Sequence, residues 1–136
     1  PVGDVASERE DPPRSAWLHE LLSRVAEHAI ASRQPHQREH LERGWAELRA
    51  LVFEEIPLTD LLARSGALAP DHTRAQLATA RNGAYKRHER TRAALASAIA
   101  SMEASGALTA EEATRAELAI RGLVRRNRSE PPQEDR

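Results

Sequence analysis

The stretch that decides the fold runs from Asp71 to Met102 and reads DHTRAQLATARNGAYKRHERTRAALASAIASM. It combines a helical pattern with a run of basic residues, and it contains Lys86, the only lysine among 136 residues. Leu95, Ile99 and Met102 recur at three- and four-residue spacing, which predicts a helix over residues 84–104 with those side chains buried. The basic residues lie in the first half of that helix.

A separate helix is predicted to begin at Pro70, placed at the first helical position, and to run toward Arg81. The pair Asn82-Gly83 is then either a turn or a weak spot in one continuous helix, since glycine costs about 1 kcal/mol relative to alanine. We expect the break.

Composition favours helices over the rest of the chain as well. The apolar fraction is 40%, much of it alanine, and aromatic residues make up only 3%. Alanine, leucine, glutamate and arginine are strong helix formers, while β-branched and aromatic residues are too few for a sheet. The length suits one domain. We therefore predict an all-α single domain of five or six helices, arranged as helical hairpins with a helix-turn-helix among them.

Working outward from the central stretch, apolar residues at helical spacing and breaks at proline and glycine give the other elements. The first 14 residues and the last ten are polar and contain the pairs Pro12-Pro13 and Pro131-Pro132, so both segments are predicted to be disordered. The predicted organisation is a leader at 1–14, a helical domain at 15–126 and a tail at 127–136, with helices from Ser15 to Ser32, His36 to Glu55, Thr59 to Gly66 and Thr109 to Arg126.

Two passages forty residues apart, 65–78 and 105–119, resemble each other. Each is predicted to be a connection between helices, with Gly66 or Gly106 in the left-handed conformation and a leucine packing beyond it. Thr109 and Glu112 form a capping box in the second passage. The pair indicates either a duplicated hairpin or two turns that share the same capping chemistry, and we favour shared chemistry.

Charge and targeting signals restrict the function classes. The net charge is −1, with −4 over residues 1–56 and +3 over residues 57–136, which argues against a protein that coats nucleic acid with its whole surface. There is no cysteine, so disulfides and thiolate metal sites are excluded. No signal peptide or long apolar run is present, and arginine greatly outnumbers lysine. We predict a cytoplasmic, bacterial protein with no membrane partner.

The basic residues of the central stretch predict a nucleic-acid surface. Lys86 and Arg90 share a helix side, so several cations could contact one phosphate backbone. Asn82, Tyr85 and His88 could reach base edges near the start of the helix. The alternative is a solvated arginine-rich face. The candidate nucleic-acid-binding residues are Arg81, Asn82, Tyr85, Lys86, Arg87, Arg90 and Arg92, with Arg74 nearby.

Residues 77–95 resemble the second half of the helix-turn-helix in the C-terminal, region 4-like part of extracytoplasmic-function sigma factors. Arg87, Arg90, Arg92 and Leu95 hold the places of that family's arginine pattern and closing leucine. The resemblance implies a helix in the major groove of a promoter and contact with RNA polymerase. The preceding helix departs from the family pattern and no polymerase-melting region is present, so a complete sigma factor is excluded.

The segment His36-Gln37-Arg38-Glu39-His40 spells the inverted zinc-peptidase motif H-x-x-E-H. His36 and His40 would share a helix face, but catalytic zinc needs a third protein ligand within a larger fold. We interpret the motif as a surface pair of histidines, which His28 could join across the hairpin. No catalytic triad or phosphate-binding loop is present. The chain is predicted not to be an enzyme and to have no catalytic residue, metal site or cofactor.

Two tryptophans complete the prediction. Trp45 lies in phase with Leu41 and Leu48 and is predicted to be core, whereas Trp17 is either an edge of the core or an exposed anchor for a partner. We expect a transcription-associated protein that binds duplex DNA through helix 84–104 and contacts RNA polymerase. The alternative is a helical interaction or adaptor module that binds a protein partner or forms a homo-oligomer, without nucleic acid.

Overall fold

The computed structural model describes the backbone of residues 11–129 and the side chains of residues 16–122. Within that region the chain is all-α, without strands, so the predicted fold class is confirmed. The predicted number of helices is also confirmed for the described region. These are α1 (Asp11–Ala31), α2 (Pro35–Val52), α3 (Leu58–Arg64), α4 (Arg74–Ser105) and α5 (Ala110–Ser129).

Helix α4 is continuous over 32 residues, so the expected break at Asn82-Gly83 is wrong. The glycine penalty of about 1 kcal/mol is local. It is outweighed by packing on both sides of the glycine. Ala84 is fully buried with Leu58, Leu62 and Leu68, and Leu77 packs against the same cluster. The predicted recognition helix 84–104 is therefore the later two-thirds of a longer helix.

Thr73, not Pro70, governs the start of α4. Oγ1 of Thr73 accepts a hydrogen bond from the backbone N–H of Gln76 at 3.1 Å, and the backbone N–H of Thr73 donates to Oε1 of Gln76 at 2.8 Å. This capping box satisfies two N–H groups that a helix leaves unpaired at its first turn. Pro70 instead lies in the connection that follows α3, so the predicted placement of Pro70 at the first helical position is wrong.

The two similar turns have the predicted chemistry. Gly66 and Gly106 have φ of 82° and 85°, the left-handed region that glycine adopts without strain. In both turns the next two N–H groups donate to the carbonyl of a residue in the last helical turn, Leu62 or Met102. The Thr109–Glu112 capping box is confirmed, with hydrogen bonds of 2.9 and 3.1 Å.

The ends of the helical domain extend beyond the predicted limits. Helix α1 begins at Asp11, so Ser15 lies inside the helix and is not its N-cap. Prolines fit a first helical turn, whose N–H groups have no partner within the helix, and Pro12-Pro13 therefore does not mark a leader. Helix α5 continues to Ser129. The remainder of the predicted leader and tail, 1–10 and 130–136, lies outside the described residues.

Helix α4 is the central element of the main core, because it packs against α1, α2 and α5. Apolar residues of all four helices meet there, and Trp45 is core as predicted, at 7% exposed. A smaller cluster lies between α3 and the first half of α4. The main cluster includes Leu21, Leu22, Val25, Leu48, Leu95, Ile99, Met102, Ala116 and Ile120.

Helices α2 and α4 lie in close contact at Gly44. A Cβ added to Gly44 would overlap Oγ1 of Thr91 and would lie 3.2 Å from Cβ of Thr91. The absence of a side chain at Gly44 therefore allows the two helices to lie in close contact. This contact brings the side chains of α2 within hydrogen-bonding distance of those of α4.

Candidate nucleic-acid interface

One buried carboxylate joins α2 to α4. Glu47 is 7% exposed and accepts hydrogen bonds from two residues of α4. Arg87 binds it with two nitrogens, Nε to Oε1 at 3.2 Å and Nη2 to Oε2 at 2.9 Å, and Nε2 of His88 donates to Oε1 at 2.9 Å. Paired hydrogen bonds between a guanidinium and a carboxylate are strong and fix both groups in one geometry. Glu47 therefore holds Arg87 in place.

The environment of Glu47 has two opposing effects on its pKa. Burial raises it, because a charged carboxylate loses water, but the hydrogen bonds from His88 and Arg87 and the charge of Arg87 lower it. The net result is a pKa below the usual value of 4.5. The ionised carboxylate is thus the form that the folded protein stabilises.

This depressed pKa predicts how stability depends on pH. A carboxylate with a lower pKa in the folded state contributes stability that is fully present above the unfolded value of 4.5 and is lost as the pH falls through the folded value. We expect the difference in unfolding free energy between the wild type and Glu47→Gln to shrink on acidification below about pH 4.5. Urea unfolding at several pH values measures it. A difference that stays constant down to acid unfolding would contradict the prediction.

His88 does not have the predicted role at base edges. Its side chain is 0% exposed, and within the described residues its Nδ1 has no hydrogen-bond partner. The geometry fits the tautomer that carries the proton on Nε2, because the carboxylate of Glu47 is only an acceptor there. His88 is therefore a structural residue of the helix interface.

Arg87 also differs from the sequence prediction. It was expected to be an exposed phosphate contact, but its side chain is only 23% exposed and is paired with Glu47. The paired geometry occupies Nε and Nη2 and leaves Nη1 for another acceptor. Arg87 can still face an anion, but its substitution would also disrupt the core.

The other predicted residues lie on two flanks of α4 instead of one continuous face. At about 3.6 residues per turn, Arg81, Tyr85 and Arg92 fall on one flank, and Lys86, Arg87 and Arg90 fall on the other. The first three are half-buried and engaged in contacts, whereas Asn82, Lys86 and Arg90 are exposed. The sequence prediction placed all of them on one nucleic-acid surface, and the structure separates them.

The flank that carries Arg90 lines an open groove between α2 and α4, which we call the α2–α4 groove. Its volume is about 440 Å³, and its walls include no carboxylate. Within the described part of the chain no carboxylate pairs with Arg33 or Arg90. The groove is lined by Arg33, Gln37, His40, Leu41, Arg87, Arg90, Thr91 and Ala94.

Two acidic residues of α2, Glu39 and Glu42, point away from this groove. Helical phase places Glu39 and Glu42 on the opposite side of α2 from Gln37 and His40, and both glutamates are exposed. Arg38 does not add to the groove, because its guanidinium donates to the carbonyls of Ala31, the last residue of α1, and of Arg33 in the following connection. The charges of Arg33 and Arg90 thus make the groove a local positive site on a chain of net charge −1, whereas Glu47 balances the charge of Arg87.

Sequence reasoning missed Arg33, Gln37 and Glu47 as members of the site. Arg33 and Gln37 lie near the α1–α2 junction, and they line the same groove as Arg90 only because distant parts of the chain pack together, which leaves no sequence signal. Glu47 carried a usable signal, since it is three residues beyond Gly44 and adjoins the buried Leu48.

The histidine motif leads to no metal site among the described residues. His36, Glu39 and His40 are exposed, and no group of three histidine or carboxylate side chains that could hold a metal occurs in the described region. His40 instead belongs to the wall of the α2–α4 groove. No described helix is both long and apolar enough to cross a membrane.

The region before α4 bears on the helix-turn-helix prediction. In that motif a turn of about three or four residues precedes the recognition helix, whose first residues contact bases. Here nine residues, 65–73, separate α3 from α4. The first residues of α4 are Arg74 to Arg81, so residues 84–104 do not occupy the position that the motif assigns to base contacts.

Comparison with known proteins leaves the family open. The chain matches no protein-family model, and no curated protein or solved structure is significantly similar to it. The resemblance of residues 77–95 to sigma-factor region 4 therefore stays a prediction, and function has to be argued from the site itself.

Proposed function

We propose that this chain is a non-catalytic DNA-binding protein that contacts the phosphate backbone through the α2–α4 groove. The observation that carries the proposal is the wall of this groove, where Arg33 and Arg90 pair with no carboxylate of the described residues and lie beside His40 and Arg87, whose charge Glu47 balances. Lysine and arginine contacts with phosphates supply most of the affinity in non-specific DNA binding.

The pairing of Arg87 with Glu47 supports the same function. A guanidinium held by two hydrogen bonds has lost its side-chain freedom before a ligand arrives, so less entropy is lost on binding. Arg33 and Arg90 have no ion pair to break within the described residues. Each can therefore exchange water for a phosphate oxygen without first leaving a carboxylate.

A role in transcription is part of the proposal and rests on the resemblance of residues 77–95 to sigma-factor region 4. Under that role the exposed Arg74 and Asn82, near the start of α4, would lie closest to bases. RNA polymerase would be the protein partner.

The alternative function, an interaction module, has less support. An apolar stripe along the first two helices would favour it, but the large exposed apolar side chains of the described region are Trp17 and Leu118. The guanidinium of Arg115 also lies over the ring of Trp17, with its Cζ 5.6 Å from the ring centroid. One partly covered tryptophan is a small anchor for a protein partner.

Titration of labelled random duplex DNA at low and high salt tests the proposal. We expect measurable binding near 50 mM salt, with log affinity falling against log salt at about −0.9 for each phosphate contacted. Arg33→Glu/Arg90→Glu is expected to weaken binding by about 100-fold, because like charges then face the backbone. Fluorescence anisotropy gives the affinities, and circular dichroism checks the fold.

Arg121→Glu is the matched control, since Arg121 is exposed on α5 and outside the groove wall. Arg74→Glu separates the two DNA-binding geometries. If it weakens binding more than Arg90→Glu does, the start of α4 contacts the DNA and the groove does not. Absence of binding by the wild type at low salt would contradict the proposal altogether.

A further inference from the structure

The α2–α4 groove continues into a second pocket of about 260 Å³, which we call the serine pocket. The two cavities share Arg33 and Ala94 in their walls. Beyond those shared residues the serine pocket is lined by His28 of α1, by Ser32 just after α1, and by Ser97 and Ser101 of α4. The wall includes no carboxylate.

The serine pocket offers hydrogen-bond donors suited to an anion. Within the described region the hydroxyls of Ser97 and Ser101 make no hydrogen bond, so both are available to a ligand. Ser32 differs, because its hydroxyl donates to the carbonyl of His28 at 2.6 Å. Arg33 supplies a positive charge between the two cavities. Hydroxyls and guanidinium groups are common partners of phosphate oxygens.

The spacing along α4 allows more than one phosphate. Arg90, Ala94, Ser97 and Ser101 recur every three or four residues, so they form one stripe along the helix. From Arg90 to Ser101 this stripe is about 16 Å long at a rise of about 1.5 Å per residue. One strand of B-DNA places a phosphate about every 3.4 Å of its axis. The stripe is therefore longer than a single phosphate needs.

From these observations we infer that the serine pocket is a second phosphate subsite, which binds a further phosphate of the same backbone strand that the α2–α4 groove holds. This inference rests on the proposed DNA binding, and it specifies where the DNA strand lies along α4. The strand runs along α4 from Arg90 toward Ser101, with Arg33 between the two phosphate positions. The ligand class is a chain of linked phosphates.

The test places two negative charges in the serine pocket. Ser97→Asp/Ser101→Asp is compared with Ala96→Asp/Ala100→Asp, which has the same net charge and the same spacing on the same helix but lies outside the pocket wall; all four positions are exposed. With a labelled duplex of about 20 base pairs near 50 mM salt, we expect the serine variant to bind at least about 10-fold more weakly than the alanine variant. The slope of log affinity against log salt concentration should also be shallower for the serine variant, by about 0.9 for each phosphate that it no longer neutralises.

Each result assigns the site differently. Equal affinities for the two aspartate variants would overturn the second subsite and leave the groove proposal standing, provided that Arg33→Glu/Arg90→Glu still weakens binding by about 100-fold. No binding by the wild type would overturn both proposals. Competition of pyrophosphate and tripolyphosphate with labelled DNA tests whether a free polyphosphate can occupy the subsites in place of a DNA backbone. If tripolyphosphate displaces DNA from the wild type but far less effectively from the serine variant, a free polyphosphate chain fills the same two subsites.

Discussion

Replacing Glu47 by alanine is expected to lower the free energy of unfolding by about 3–5 kcal/mol, because the substitution leaves the half-buried Arg87 and the buried His88 without their acceptor. Both α4 residues donate to this carboxylate, and His88 is fully buried. A domain of this size has a total stability of about 5–15 kcal/mol, so the variant should be close to unfolding. Urea unfolding followed by circular dichroism measures the change.

Glu42→Ala is the control for that experiment. Glu42 lies on the same helix but is exposed, so its replacement should change stability by less than about 0.5 kcal/mol. Glu47→Gln should fall between the two, since the amide keeps one acceptor oxygen and loses the charge that Arg87 requires. If Glu47→Ala is as stable as Glu42→Ala, the carboxylate of Glu47 does not stabilise the contact between α2 and α4.

This result also decides how DNA binding can be tested. Arg87→Glu would place two carboxylates together at the α2–α4 interface, and loss of DNA binding could then reflect unfolding alone. Arg90 is exposed and, within the described part of the chain, unpaired, so its charge can be reversed without touching the core. The function of the groove is therefore best tested through Arg90 and Arg33.

Much of the fold could be predicted because it depends on local patterns. The apolar stripe of α2, with Leu41, Trp45 and Leu48, is visible at helical spacing, and so is the left-handed glycine of each turn. Errors arose where a local signal competes with packing. Asn82-Gly83 is a weak helical segment by propensity, but Ala84 is buried against the cluster beneath α3, and that contact keeps α4 continuous.

The site was harder to predict than the fold, because it depends on contacts between distant residues. Arg33 and His40 meet Arg90 only when α2 lies against α4, and a basic run within one helix does not reveal this. The basic run also gave no sign that its residues face different surroundings. Arg87 and His88 face a buried glutamate that lies 40 and 41 residues earlier in the chain. A helical wheel could have shown that Arg81 and Arg90 lie on different flanks.

Gly44→Ala is expected to destabilise the protein by about 1–3 kcal/mol, although alanine is the better helix former by about 1 kcal/mol. The added Cβ would overlap Oγ1 of Thr91, whose hydroxyl donates to the carbonyl of Arg87 at 2.9 Å. Threonine is β-branched and has little freedom to rotate away. Helices α2 and α4 would have to separate, which would also lengthen the hydrogen bonds from Arg87 to Glu47. Thermal or urea unfolding measures the destabilisation.

Gly83→Ala is a matched control, because a Cβ at Gly83 meets nothing within 4 Å. That variant should be stabilised by up to about 1 kcal/mol, since only helix propensity changes. Combining Gly44→Ala with Thr91→Ala removes the overlapping hydroxyl and should recover most of the stability, so the two substitutions should not be additive. If Gly44→Ala stabilises the chain as Gly83→Ala does, α2 and α4 lie further apart, and the short hydrogen bonds that hold Arg87 at the groove could not form as described.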